Sequence, residues 1–194
     1  MAQGVKHFFS HILGYPNSLT LFRVAAVPLL IILLLFDNKV CGILAALVFA
    51  VAAITDYFDG YLARRYGQVS DLGKMLDPLA DKLLVSSALI MLVSLGRVPG
   101  WAVCIILGRE LAVTGLRAVI SEHGADVSAS LLGKYKTGFQ IASIIPLLIH
   151  YQYFGLNFHA VGMALFWLAL LITLWSGVDY FMRFWKHISP EGAG

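Results

Sequence analysis

The chain has 194 residues, of which 59% are hydrophobic and 13% charged, with a net charge of +3. A soluble domain of this length would carry roughly twice that charged share, so an ordinary soluble fold is excluded and a membrane protein is expected. No nucleic-acid partner is expected, and the two cysteines, Cys41 and Cys104, sit in apolar runs and read as buried small residues, not as a disulfide or zinc framework.

In chain order, residues 4–13 place Val5, Phe8, Phe9 and Ile12 at helical spacing, which predicts a short amphipathic helix lying in the membrane interface. Turn chemistry follows at 14–18, with Asn17 or Ser18 available to cap the next helix. Six apolar runs then predict spans at about 19–36, 40–62, 72–95, 101–121, 132–153 and 158–185. Each is near the ~20 residues that cross the hydrocarbon. Their continuous apolarity rules out the alternating pattern of a barrel, so the expected fold is an all-α integral membrane protein in one domain, 1–194. No cleavable signal is visible, and the first span is expected to be retained as its own insertion signal. Residues 64–71 read as a polar connection between the second and third spans. Lys and Arg fall almost entirely on one side of these spans, leaving only Lys39 and Arg97 on the other. That asymmetry predicts both termini on the cytoplasmic side.

Four aspartates interrupt the apolar pattern. Asp56 and Asp59 lie near the end of the second span, Asp77 and Asp81 near the start of the third. Carboxylates at membrane depth are costly and point to function. The i, i+3 and i, i+4 spacings put each pair on one helix face, and two antiparallel neighbours can bring the pairs together. Repulsion among four carboxylates calls for cations, and oxygen-only ligands select hard ions, Mg²⁺ or Mn²⁺. Two such ions would form the clamp used for in-line attack at phosphorus. Gly60 and Gly73 clear space for phosphates to approach the helix backbone, and Arg64 suits a diphosphate. An ion-coupled transporter is the alternative from another class. It would spread acids across the membrane's depth, whereas these cluster near one face.

The pattern Asp56-x2-Asp59-Gly60-x2-Ala63-Arg64-x8-Gly73-x3-Asp77-x3-Asp81 resembles the signature of the CDP-alcohol phosphatidyltransferases at every fixed position. Four further stretches are similar to the bacterial branch that makes phosphatidylglycerol phosphate: residues 16–23, 55–60, 108–110 with 116–117, and 133–137 with Gln140. The resemblance implies a CDP-diacylglycerol donor, sn-glycerol 3-phosphate as acceptor and CMP as the leaving product. It implies metal held by Asp56, Asp59 and Asp77, with Asp81 as general base and additional metal ligand. It also implies donor contacts from Asn17, Thr20, Gly60, Arg64, Ser70 and Gly73, a homodimer, and a place in the bacterial inner membrane with the active site cytoplasmic. A dianionic acceptor needs cations. Arg109 and Arg117, eight apart on the fourth span, with Lys134 and Lys136 at the start of the fifth, are the candidates. Serine, inositol phosphate or phosphatidylglycerol are the alternative acceptors within the family.

Overall fold

The computed structural model describes residues 16–66, 71–122, 131–153 and 155–188, with the backbone alone at 16–21, 56–66, 71–79, 81, 118–122, 131, 132, 134 and 183–188. Among the described residues there are six helices: α1 Pro16–Leu35, α2 Lys39–Tyr66, α3 Asp71–Ser94, α4 Gly100–Glu122, α5 Leu131–Ile149 and α6 Phe158–Ile188. The expected N-terminal interfacial helix lies outside the described residues. A two-stranded antiparallel pair, β1 Gln152–Tyr153 and β2 Leu156–Asn157, joins α5 to α6.

Local chemistry sets the helix ends. Asn38 caps α2, its side chain accepting from the Cys41 amide at 2.9 Å. The helix α3 stops in a paired-bond C-cap: Gly96, at φ +66°, donates to Val93 O, and Arg97 N donates to Leu92 O, each at 2.9 Å. Asn157 caps α6 by accepting from Ala160 N at 3.1 Å. Helix α1 runs through Pro28 and α5 through Pro146 without a break in the helix.

Two boundaries differ from the sequence expectation. Arg64 and Arg65, read as connection, belong to α2, which continues to Tyr66. A helix followed by water or headgroups need not stop where its apolar run stops. The fifth helix ends at Ile149, not near Tyr153, because His150 takes a left-handed φ of 62° and donates its amide back to Pro146 O at 2.9 Å. Gln152–Tyr153 then pairs with Leu156–Asn157, with Gly155 at φ +77° between the strands.

The chain forms two compact units, Met1–Met91 and Leu92–Gly194. In the first, α1 packs on α2. Ala26, Leu30 and Leu34 form the buried stripe of α1, while Ala45, Ala46, Phe49 and Ala52 are buried on α2. Arg23 is also buried, at 1% exposed. In the second unit α6 is the shared element, packing against both α5 and α4. Gly162 makes the closest approach: a Cβ there would stand 2.7 Å from Leu147 Cγ and 2.9 Å from Leu147 N.

The outward faces are apolar: Leu35, Ile54, Leu111, Leu171, Trp175 and Val178 are all exposed. Such a surface suits lipid, not water. Among the described residues one helical segment, Phe158–Met182, is long and apolar enough to cross a membrane, and Phe22–Leu35, Lys39–Thr55, Lys82–Ser94 and Tyr135–Ile149 are shorter apolar segments. The cysteines depart from expectation. Cys41 is half-buried and Cys104 is exposed, and both are free thiols. A residue read as buried from its apolar neighbours can equally sit on an apolar outer face.

Candidate active site

The four aspartates fall on continuous helix. Asp56 and Asp59 are within α2, and Asp77 and Asp81 are within α3. The helical spacing assumed for each pair therefore holds along the backbone. Gly60 and Arg64 follow in α2, Gly73 precedes Asp77 in α3, and Asn17 and Thr20 lie in the first turns of α1. The side chains of these residues, and of Lys134 in α5, lie outside the described residues, as does Ser70 altogether.

The acceptor candidates can be followed to their atoms in the second unit. Arg109 and Glu110 are adjacent on α4, and Lys136 lies on α5. The Lys136 ammonium donates to Glu110 Oε1, and the Arg109 Nη1 stands 3.6 Å from the same oxygen. Arg109 Nη2 donates to Ser176 Oγ on α6 at 2.9 Å. The Arg109 stem runs across Gly177, where a Cβ would lie 3.1 Å from Arg109 Cγ. Arg117, two turns further along α4, places its guanidinium carbon 5.9 Å from the centroid of the Tyr180 ring. So Arg109 and Arg117 of α4 reach α6, Lys136 of α5 reaches α4, and Glu110 stands between Arg109 and Lys136.

Burial gives these contacts weight. The side chains of Lys136, Arg109 and Glu110 are 7%, 12% and 20% exposed. An ammonium at that depth needs a fixed anion, and Glu110 supplies it. The cluster keeps a cationic excess, as an anion-binding site requires.

Helix α6 carries residues that sequence reasoning passed over. Thr173, Ser176 and Tyr180 are buried. Gln140 Nε2 donates to Thr173 Oγ1 at 3.4 Å, and Ser176 Oγ donates to Thr173 O at 3.1 Å. A signal for them existed: hydroxyl residues at i, i+3 and i+7 in an otherwise apolar helix mark one polar stripe. The Glu110–Lys136 contact has no local signal in the sequence, because the two residues lie 26 apart.

Sequence comparison identifies the family. A family model described as CDP-alcohol phosphatidyltransferase matches residues 13–175, and the chain belongs to that family. Among curated relatives, it is 44% identical to the CDP-diacylglycerol–glycerol-3-phosphate 3-phosphatidyltransferase of Bacillus subtilis (strain 168), over 91% of this chain and 97% of that protein. It is 39% identical to the enzyme of the same name from Rickettsia bellii, covering 86% of this chain and 92% of that one. It is also 38% identical to a probable phosphatidylglycerophosphate synthase of Mycobacterium tuberculosis H37Rv, over 90% of this chain and 83% of the relative.

Proposed function

We propose that this chain transfers the phosphatidyl group of CDP-diacylglycerol to sn-glycerol 3-phosphate, releasing CMP and forming phosphatidylglycerol phosphate. The observation that carries the reading is the agreement between two independent features. The relatives named for this reaction match nearly end to end, and the chain holds Arg109 and Arg117 against α6 and Lys136 against Glu110 of α4, as a dianionic acceptor requires.

In this reading the acceptor hydroxyl oxygen attacks the phosphatidyl phosphorus. The bond from that phosphorus to the bridging oxygen breaks, CMP leaves with the electron pair, and the hydroxyl proton passes to the Asp81 carboxylate. The donor set on α2 and α3 is four carboxylates with oxygen donors only, which fits Mg²⁺ or Mn²⁺. Asp56, Asp59 and Asp77, together with Asp81, would hold two such ions, which when bound neutralise the diphosphate and the charge developing on the leaving phosphate. Asn17, Thr20, Gly60, Arg64, Ser70 and Gly73 are assigned to the donor, and Arg109, Arg117, Lys134 and Lys136 to the acceptor phosphate. Glu110 holds Lys136 in place for that role.

The same reading takes 1–194 as one catalytic domain with six spans, working as a homodimer in the bacterial inner membrane with termini and site on the cytoplasmic side. Helices of 20, 28, 24, 23, 19 and 31 residues support that span count. Purified protein supplied with CDP-diacylglycerol, labelled glycerol 3-phosphate and Mg²⁺ or Mn²⁺ should release CMP and a labelled lipid phosphate. Full turnover in excess chelator would overturn the metal-assisted reading. Preferential use of serine, inositol phosphate or phosphatidylglycerol would overturn the acceptor.

A further inference from the structure

Two polar atoms on the α4–α6 face have no hydrogen-bond partner among the described residues: Arg109 Nε and the Tyr180 hydroxyl oxygen. Tyr180 is 5% exposed, and both atoms are shielded from solvent. Buried donors and acceptors are nearly always paired, and leaving one unpaired costs stability. Neither atom lacks a partner because its side chain is adrift. Arg109 is anchored through Nη2 on Ser176 and along Gly177. The Tyr180 ring lies under the Arg117 guanidinium. Ser176 and Tyr180 are i, i+4 on α6, so the unsatisfied hydroxyl sits one turn from the anchor of Arg109. Two arginines and an unspent hydroxyl, gathered where α4 meets α6, form a site suited to an anion, with the Asp179 carboxylate in the same turn of α6 as Tyr180.

We propose that Tyr180 is a binding residue for the acceptor: its hydroxyl donates to an oxygen of the phosphate monoester, beside Arg109 Nε and Arg117. The inference rests on the assignment of this cluster to the acceptor. Tyrosine suits the position. Its ring is held by packing and by the arginine above it, so little freedom is lost when the hydroxyl engages a phosphate oxygen. The hydroxyl also sets specificity, because an acceptor without a phosphate leaves it unsatisfied, and rejection of such analogues is steep where a buried polar group would go unpaired.

The test is Tyr180→Phe in the full chain, with CMP release measured against glycerol 3-phosphate at saturating CDP-diacylglycerol, and again against CDP-diacylglycerol at saturating acceptor. Loss of one hydrogen bond to a charged group predicts that KM for glycerol 3-phosphate rises about tenfold or more. The KM for CDP-diacylglycerol should stay unchanged, kcat should stay within about twofold, and the apo protein should be no less heat-stable. A parallel readout needs no turnover: glycerol 3-phosphate should raise the melting temperature of the wild-type protein more than that of the variant. An unchanged acceptor KM would overturn the inference. So would a rise in the donor KM alone, which would give the hydroxyl to the diphosphate instead. A variant that fails to fold would overturn it too, because a hydroxyl without a partner does not hold the fold together. Failure of the wild-type protein to use glycerol 3-phosphate is a separate outcome, and it would overturn the functional reading itself.

Discussion

Replacing Glu110 with Gln removes the anion against which Lys136 is buried. The Lys136 side chain is 7% exposed and Glu110 20%, and the ammonium donates directly to Glu110 Oε1. Breaking a buried pair by removing one partner costs about 3–5 kcal/mol, because a charge is left uncompensated. Water reaches the partly exposed carboxylate, so a smaller loss than that range, about 2–3 kcal/mol, is expected here. For a chain of this size that corresponds to a melting temperature lower by about 4–12 °C. Lys136→Met on the Glu110→Gln background removes the stranded charge, so the double variant should recover part of the loss. The coupling energy expected from the cycle is about 2 kcal/mol. Unfolding of the four proteins in lipid–detergent micelles, followed by near-ultraviolet circular dichroism, measures it. If the two single losses add to within about 0.5 kcal/mol, the residues act independently and the pair does not hold α4 to α5.

Gly162→Ala should cost about 1–3 kcal/mol through overpacking, because the new methyl would lie 2.9 Å from the backbone nitrogen of Leu147, which cannot swing aside. An unshifted melting temperature would mean that α5 and α6 separate there at little cost. Asp81→Asn should lower kcat about 10²–10⁴-fold, the usual worth of a general base, while binding of CDP-diacylglycerol, followed by equilibrium dialysis, is retained. Unchanged turnover would remove Asp81 from proton transfer, and a parallel loss of donor binding would make it chiefly a metal ligand.

Much of this organisation was legible in the sequence, for identifiable reasons. Each long helix announced itself by an apolar run bounded by turn residues, and Asn38, Gly96 and Asn157 end or begin helices through chemistry their side chains or backbone carry. The acid pairs stood out because ionised groups in an apolar run are costly at membrane depth. What escaped was non-local. Nothing near Glu110 indicates that Lys136 will sit on it, and nothing near Ser176 indicates Arg109, 67 residues away. The early end of α5 escaped as well, since His150 adopts a left-handed backbone where glycine would have been the visible signal. Arg64 and Arg65 misled in the opposite direction: their polarity suggested a loop, although arginine is a good helix former.

Arg97 changes how the charges along the chain should be counted. It is 4% exposed, and its Nη1 donates to the carbonyls of Leu147 and Leu148 at 3.2 and 2.9 Å, closing the last turn of α5. Its charge is spent on a helix end within the protein and does not face a membrane surface. On the proposed six-span topology, a tally of loop cations that includes Arg97 therefore understates the bias between the two sides. Exchanging Arg97 for a neutral residue would free those carbonyls while leaving the insertion bias intact, so the arginine acts as a rivet between two helices and not as a compass for the chain.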